Sequence, residues 1–392
     1  MNMRKNQRKN IHPMVTARIS AGTKTIVPVI IHYHRNIEDV KSFIHGKQGK
    51  ISYELPFMNA VAAEIPADNV MPVALNKMIK FIDDDTKVFK TMDIASSFMG
   101  IRLANNYDYT GENIGIAIID TGVAPHTDLV KPTNRIIGFK DFIGGKTSPY
   151  DDDGHGTHVA GIAAGNGFTT SKYAGIAPKA NIIAIKVLDS AGSGNTSNIL
   201  AGLQWVIDNK EKYNIRIVNM SLGTPADSSH REDPLAKGAS AAVAAGLSVI
   251  VAGGNSGPNR KTINSPGISP DVITVGAIDD NRTTSFYDIF VADFSSRGPT
   301  PSGFSKPDIM APGVDIMSLS NKQLNGYASH SGTSMATPII SGAAALLYQK
   351  NPYLTPRQIK KIIKGTALQI KGVSSLSQGS GVANIPKMLN ID

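Results

Sequence analysis

Three residues set far apart in the chain carry the chemistry this sequence can offer. Asp120 ends an apolar run, residues 114–119, and is followed by Thr-Gly; His155 stands between Gly154 and Gly156 where a helix is predicted to begin; Ser334 lies in Gly332-Thr333-Ser334-Met335-Ala336-Thr337-Pro338, at the mouth of an Ala-rich helix. A serine hydroxyl is inert near neutral pH unless a base removes its proton as it attacks. An imidazole serving as that base needs a carboxylate to set its tautomer and stabilise its cation. An acid, an imidazole and a hydroxyl at three element ends therefore match what nucleophilic acyl transfer requires. Singly, each has a plainer use: an Asp after a strand caps turns, and a Ser before a helix is a preferred N-cap. His155 and His158 share a helix face and could share a metal, but no Glu or third His stands at the spacing a catalytic zinc needs, so a metal role is set aside. With no Cys in the chain, thiol nucleophiles, disulfides and iron–sulfur clusters are excluded.

Something must hold these residues together, and the hydrophobic pattern says what. Residues 114–119, 182–187, 215–219, 248–252 and 272–275 read as near-continuous apolar strands, as a parallel sheet covered on both faces requires. Helices are predicted between and after them at 155–164, 197–210, 234–245, 334–349 and 355–363. This is an α/β, doubly wound, mostly parallel sheet flanked by helices, with right-handed crossovers. Ligands of such sheets bind beyond the carboxyl ends of the strands, where Asp120 is placed. Ahead of it lies a small α+β unit: strand-like residues 25–34, a helix at 37–44, strands at 51–55 and 60–65, and a helix at 68–80, a βαββαβ order. The expected division is a basic tail at 1–20, the small unit at 21–82, a linker at 83–97 and the large α/β domain at 98–392.

Composition bounds the partners. At 392 residues, 41% hydrophobic and 18% charged, the chain can bury a large core. Of its net charge of +9, most sits in the first 90 residues, which hold 14 Lys and Arg against 8 Asp and Glu. A solvated tail accounts for this excess, and without aromatic interleaving or a basic helix face no nucleic-acid partner is expected. No apolar stretch approaches the length of a membrane span, so no membrane association is expected. The N-terminal basic run is not followed by the apolar core of a signal peptide, and the expected location is cytoplasmic.

The motifs DTGV at Asp120, HGTHVAG at His155 and GTSMATP at Ser334, in that order, resemble the subtilisin-like serine protease family, the subtilases or peptidase S8. The resemblance covers roughly residues 95–392. It implies a serine endopeptidase with Asp120 as acid, His155 as general base and Ser334 as nucleophile. Asn255, in VAGGNSG, matches the family's oxyanion-hole asparagine, which would act with the backbone N–H of Ser334 at a helix N-terminus. Ser221, Leu222 and Gly223 match the substrate-binding strand, with Gly192, Ser193 and Gly194 as the opposing edge and Ala252, Gly253 and Gly254 at the floor of the primary pocket. The small N-terminal unit resembles the family's ferredoxin-like inhibitory propeptide, which implies an autoprocessed zymogen cut in the 83–97 linker, near Thr91. No cofactor is implied for the chemistry. Asp128 matches a family calcium ligand, while residues 166–173 do not match the loop that supplies the other oxygens; the implied metal is a structural calcium. Two rival readings fit the sequence less well. A silent binding protein would have lost one of the four site residues, and a Rossmann nucleotide binder would show G-x-G-x-x-G after residues 114–119, which is absent.

Overall fold

A computed structural model describes residues 10–11, 15–16, 19, 26–34, 36–84, 99–100, 104, 106–283 and 285–391. The chain divides into two units, Met1–Val88 and Phe89–Asp392. In the first, strand alternation puts Val27, Val29, Ile31 and Tyr33 of β1 (Ile26–Tyr33) on one buried face. Helix α1 (Ile37–Gly46) starts where the Asn36 side chain accepts from the Glu38 N–H. There follow β2 (Lys50–Leu55), β3 (Ala60–Pro66), α2 (Ala67–Ala74) and β4 (Ile79–Asp84), with an antiparallel sheet in the order β2-β3-β1-β4. The βαββαβ order is present, completed by β4, a strand to which the sequence reading assigns no residues. The second helix is shorter than the predicted 68–80, because Ile79 already pairs with Tyr33 as the start of β4. The expected tail falls largely, and the linker beyond Asp84 wholly, outside the described residues.

The second unit is built on β5 (Gly115–Asp120), every residue of which is buried. After it come α3 (Thr127–Val130), β6 (Ile136–Asp141), α4 (His155–Ala164), β7 (Asn181–Lys186), α5 (Thr196–Asn209), β8 (Ile215–Met220), α6 (Pro234–Ala244), β9 (Ser248–Ala252) and β10 (Ile273–Asp279). Then follow β11 (Phe290–Val291), β12 (Ile309–Pro312), the hairpin of β13 (Ile316–Leu319) and β14 (Tyr327–His330), α7 (Thr333–Lys350) and α8 (Pro356–Gly365). The sheet runs β11-β10-β9-β8-β5-β7-β6, with β12 also on β10; all pairs are parallel except β10–β11. Side chains of β5 divide by alternation. Ile116 and Ile118 join the core under α4, α7 and α8, and Ala117 and Ile119 join the core under α5 and α6. Because β7 lies on one side of β5 and β8 on the other, the strand order reverses at β5, which opens a crevice at the carboxyl end occupied by Asp120. No described helix is long and apolar enough to cross a membrane.

One buried charge cluster braces this sheet away from the crevice. Asp308 receives Lys306 Nζ at 2.5 Å, Lys364 Nζ at 3.0 Å and Lys360 Nζ at 3.2 Å. Burial disfavours the Asp308 anion, but the three ammonium groups outweigh it and hold the carboxyl below its usual range. Its contribution is therefore present above the ordinary carboxylate pKa and is lost as the pH falls through the depressed value. Asp308→Asn leaves Lys306 buried without a counter-charge and is expected to cost about 3–5 kcal/mol in urea unfolding at neutral pH, with the deficit shrinking in acid.

Candidate active site

Asp120 leaves the end of β5 fully buried, and its Oδ1 accepts the Thr121 N–H at 2.8 Å. His155 opens α4 and reaches Asp120 through Nδ1 at 2.7 Å from Oδ1. Several backbone contacts fix that helix start. Asp151 Oδ1 accepts from Gly154 N at 2.8 Å, and Asp151 Oδ2 accepts from Thr157 N at 2.9 Å and Thr157 Oγ1 at 2.6 Å. Thr121 Oγ1 accepts from Gly156 N at 2.9 Å. Gly156 is required by space, because a Cβ there would stand 2.1 Å from the Gly122 carbonyl oxygen. Fully buried Lys186, paired with Asp120 across β5 and β7, donates to Thr121 O at 2.7 Å, Leu188 O at 2.8 Å and Asp152 Oδ1 at 2.6 Å, so the chain leaving Asp120 is held as well.

Burial alone would lower the pKa of His155. The Asp120 charge and hydrogen bond outweigh it, with Asp153 and Asp151 adding, and the imidazole is pushed up to about 9. His158, the other histidine of the motif, does different work. Its Nε2 is 3.1 Å from Ile316 O and 3.0 Å from Ala328 O, so that nitrogen carries the proton. Burial lowers its pKa to about 3, and it stays neutral.

Ser334 sits in the first turn of α7. Its Oγ donates to Ser221 O at 3.0 Å, and Ser221 Oγ donates back to Ser334 O at 2.9 Å. The reciprocal pair ties the helix start to the chain after β8. Among the described residues, neither His155 Nε2 nor the Ser334 N–H has a hydrogen-bond partner. Asn255 accepts through Oδ1 from Thr333 N and Thr333 Oγ1, both at 2.9 Å. Of the two side-chain amide atoms only the oxygen can accept from a backbone N–H, so the amide is oriented and Nδ2 is left as an exposed donor. Thr333 Oγ1 in turn accepts from Gly254 N at 3.2 Å.

A cleft of about 550 Å³ brings His155 together with Gly192, Ser193, Gly194, Ser221, Leu222 and Gly223. Ala252, Gly253 and Gly254 are not among its lining residues; Gly254 instead meets Thr333 through its N–H. Sequence reasoning missed Asp151, Asp153, Thr121 and Thr333. The run of three Asp before the predicted helix was a capping signal that could have exposed the first two.

Asp128, the expected calcium ligand, is buried with both carboxylate oxygens engaged. Oδ1 accepts from Thr169 N at 2.8 Å and Oδ2 from Tyr327 Oη at 2.7 Å. The described residues hold no group of three or more His, Asp or Glu suited to a metal. A divalent cation that needs six to eight oxygens does not fit this donor set.

Residues 111–381 match the Subtilase family model. The chain is 41% identical over 368 residues to the serine protease AprX of Bacillus subtilis, covering 86% of this chain and 80% of that protein. It is 34% identical over 355 residues to subtilisin E of the same species, covering 88% and 84%. Among solved structures, the S41 psychrophilic protease is similar at 33% identity and a TM-score of 0.61, over 70% of this chain and 92% of that one. This kinship corrects the cytoplasmic location expected above, because AprX and the subtilisins are secreted, extracellular proteases. That expectation rested on a missing apolar run, and such an absence at the head of a sequence does not define a compartment.

Proposed function

The chain belongs to the subtilase family and is a serine-type endopeptidase acting on polypeptides, and from that premise we propose that Asp120, His155 and Ser334 are its acid, general base and nucleophile. The observation that carries this reading is the 2.7 Å contact of His155 Nδ1 with the buried Asp120 carboxylate. It fixes the proton on Nδ1 and leaves Nε2 as the lone pair. Rotation about the Cα–Cβ bond of Ser334 swings its hydroxyl from Ser221 O into the cleft. Nε2 takes the hydroxyl proton as Oγ bonds to the peptide carbonyl carbon. The resulting oxyanion accepts from Asn255 Nδ2 and the Ser334 N–H at the positive end of α7. His155 then gives its proton to the leaving amine, and water repeats the sequence to release the acyl group. The chemistry needs no cofactor.

Substrate pairs as an added strand between residues 192–194 and 221–223, where backbone contacts give affinity and side-chain pockets give choice. The βαββαβ unit is the propeptide, cut away in the linker after Asp84 and acting as the enzyme's own inhibitor. A slow-folding parallel sheet gives a motive for both roles, since an active protease would digest its own unfolded copies. A calcium at Asp128 forms no part of this reading.

Asn255→Ala tests the oxyanion assignment. Losing this donor is expected to lower kcat roughly 10²–10³-fold with KM little changed, the scale already known for a subtilisin lacking its equivalent. Steady-state kinetics on a peptide substrate decide it, and an unchanged kcat removes Asn255 from the mechanism.

A further inference from the structure

The donors around Asp128 are arranged for an anion in need of protons and positive charge. Arg135, mostly buried, spreads its guanidinium over three backbone carbonyls. Nη1 donates to Ala164 O at 2.6 Å and Ala180 O at 2.8 Å, and Nη2 donates to Asp128 O at 2.6 Å. Oxygens of this kind are the usual ligands of a hard cation, and here an organic cation holds them. Tyr327 and His126 complete the enclosure. The Tyr327 hydroxyl donates to Oδ2 at 2.7 Å. His126 Nδ1 accepts the Asp128 N–H at 3.1 Å, which leaves Nε2 as the donor to Gly326 O at 2.9 Å. Tyr173 packs on Tyr327 with ring centroids 4.6 Å apart.

We infer that Asp128 is the centre of a metal-free lock, in which the Arg135 guanidinium, the Tyr327 hydroxyl and the Thr169 N–H do the work the family resemblance assigns to calcium. The lock ties α3, the end of α4, the loop at 166–173 and β14, and β14 leads within four residues to Ser334. Admitting a divalent ion would displace two donors from the carboxylate and set two positive charges beside a buried guanidinium. The lock holds whether or not the catalytic assignment does, because its test reads stability and not turnover.

The experiment uses the full chain carrying Ser334→Ala, to prevent self-digestion, and compares thermal unfolding in excess EGTA and in millimolar calcium chloride. The change in Tm between the two conditions should be the same with and without Asp128→Asn; a calcium-dependent rise that Asp128→Asn removes overturns the inference. Should Asp128→Asn fail to fold, terbium emission excited through tyrosine replaces it. Emission should be equal in the parent and in Tyr327→Phe, and terbium emission that Tyr327→Phe abolishes overturns the inference. Arg135→Met should lower Tm by roughly 5 °C or more in EGTA, and an unchanged Tm rejects the lock.

Discussion

Ser334→Ala is expected to lower kcat roughly a million-fold and to leave the chain at full length. The magnitude is the scale known for subtilisin stripped of its nucleophile, where the residual rate comes from the oxyanion donors and substrate binding. The physical reason lies in the site. With Oγ gone, the His155 lone pair has no hydroxyl to deprotonate, and no acyl-enzyme can form. The substitution removes one oxygen whose partner is a backbone carbonyl, Ser221 O, so the fold should survive it. Mass spectrometry of the purified wild type and variant reads both consequences together. Wild type should show a cut in the 83–97 linker, and the variant should show none. A variant that still cleaves peptides, after a contaminating protease has been excluded, would remove Ser334 from the mechanism.

Asp120→Asn is expected to lower kcat about 10⁴-fold, the loss found when a triad aspartate becomes asparagine. An asparagine amide can donate to Nδ1, which moves the ring proton to Nε2 and abolishes the lone pair needed for Ser334. The pH profile separates this from misfolding. In the wild type the imidazole is pushed up to about 9 by Asp120 against the effect of burial, and only the neutral ring is a base. Thus kcat/KM should climb with pH and level off above about 9. Without the Asp120 charge, burial dominates and the inflection should move to lower pH while the plateau falls. An unshifted inflection in a folded variant would show that Asp120 does not set the basicity of His155.

Much of the architecture was legible because its determinants are local. The apolar run before Asp120 reads as a strand buried on both faces, and alternation in residues 26–33 marks a strand covered on one. The predicted strand at 215–219 and helix at 155–164 match β8 and α4 almost residue for residue. The short pieces were not visible. β11 has two residues, β13 is apolar and mostly buried but only four residues long, and β14 is equally short, polar and partly exposed, so none carries a hydrophobic period to read. The helix predicted at 68–80 was overrun for a tertiary reason, since residues from Ile79 onward pair with β1.

The sequence by itself determined which residue types were available and which element ends bore them: an acid after a strand, an imidazole and a hydroxyl at helix starts, and an asparagine in a glycine-rich loop. Tertiary structure alone decided their partners. Asp120 meets His155 because the strand order reverses at β5, Asn255 is turned by Thr333 from 78 residues away, and Asp128 is claimed by Tyr327 from 199 residues away. Spacing along a chain specifies conformation, whereas hydrogen bonds and burial act through space, so the charge on His155 and the closing of the Asp128 site emerge only once distant segments pack.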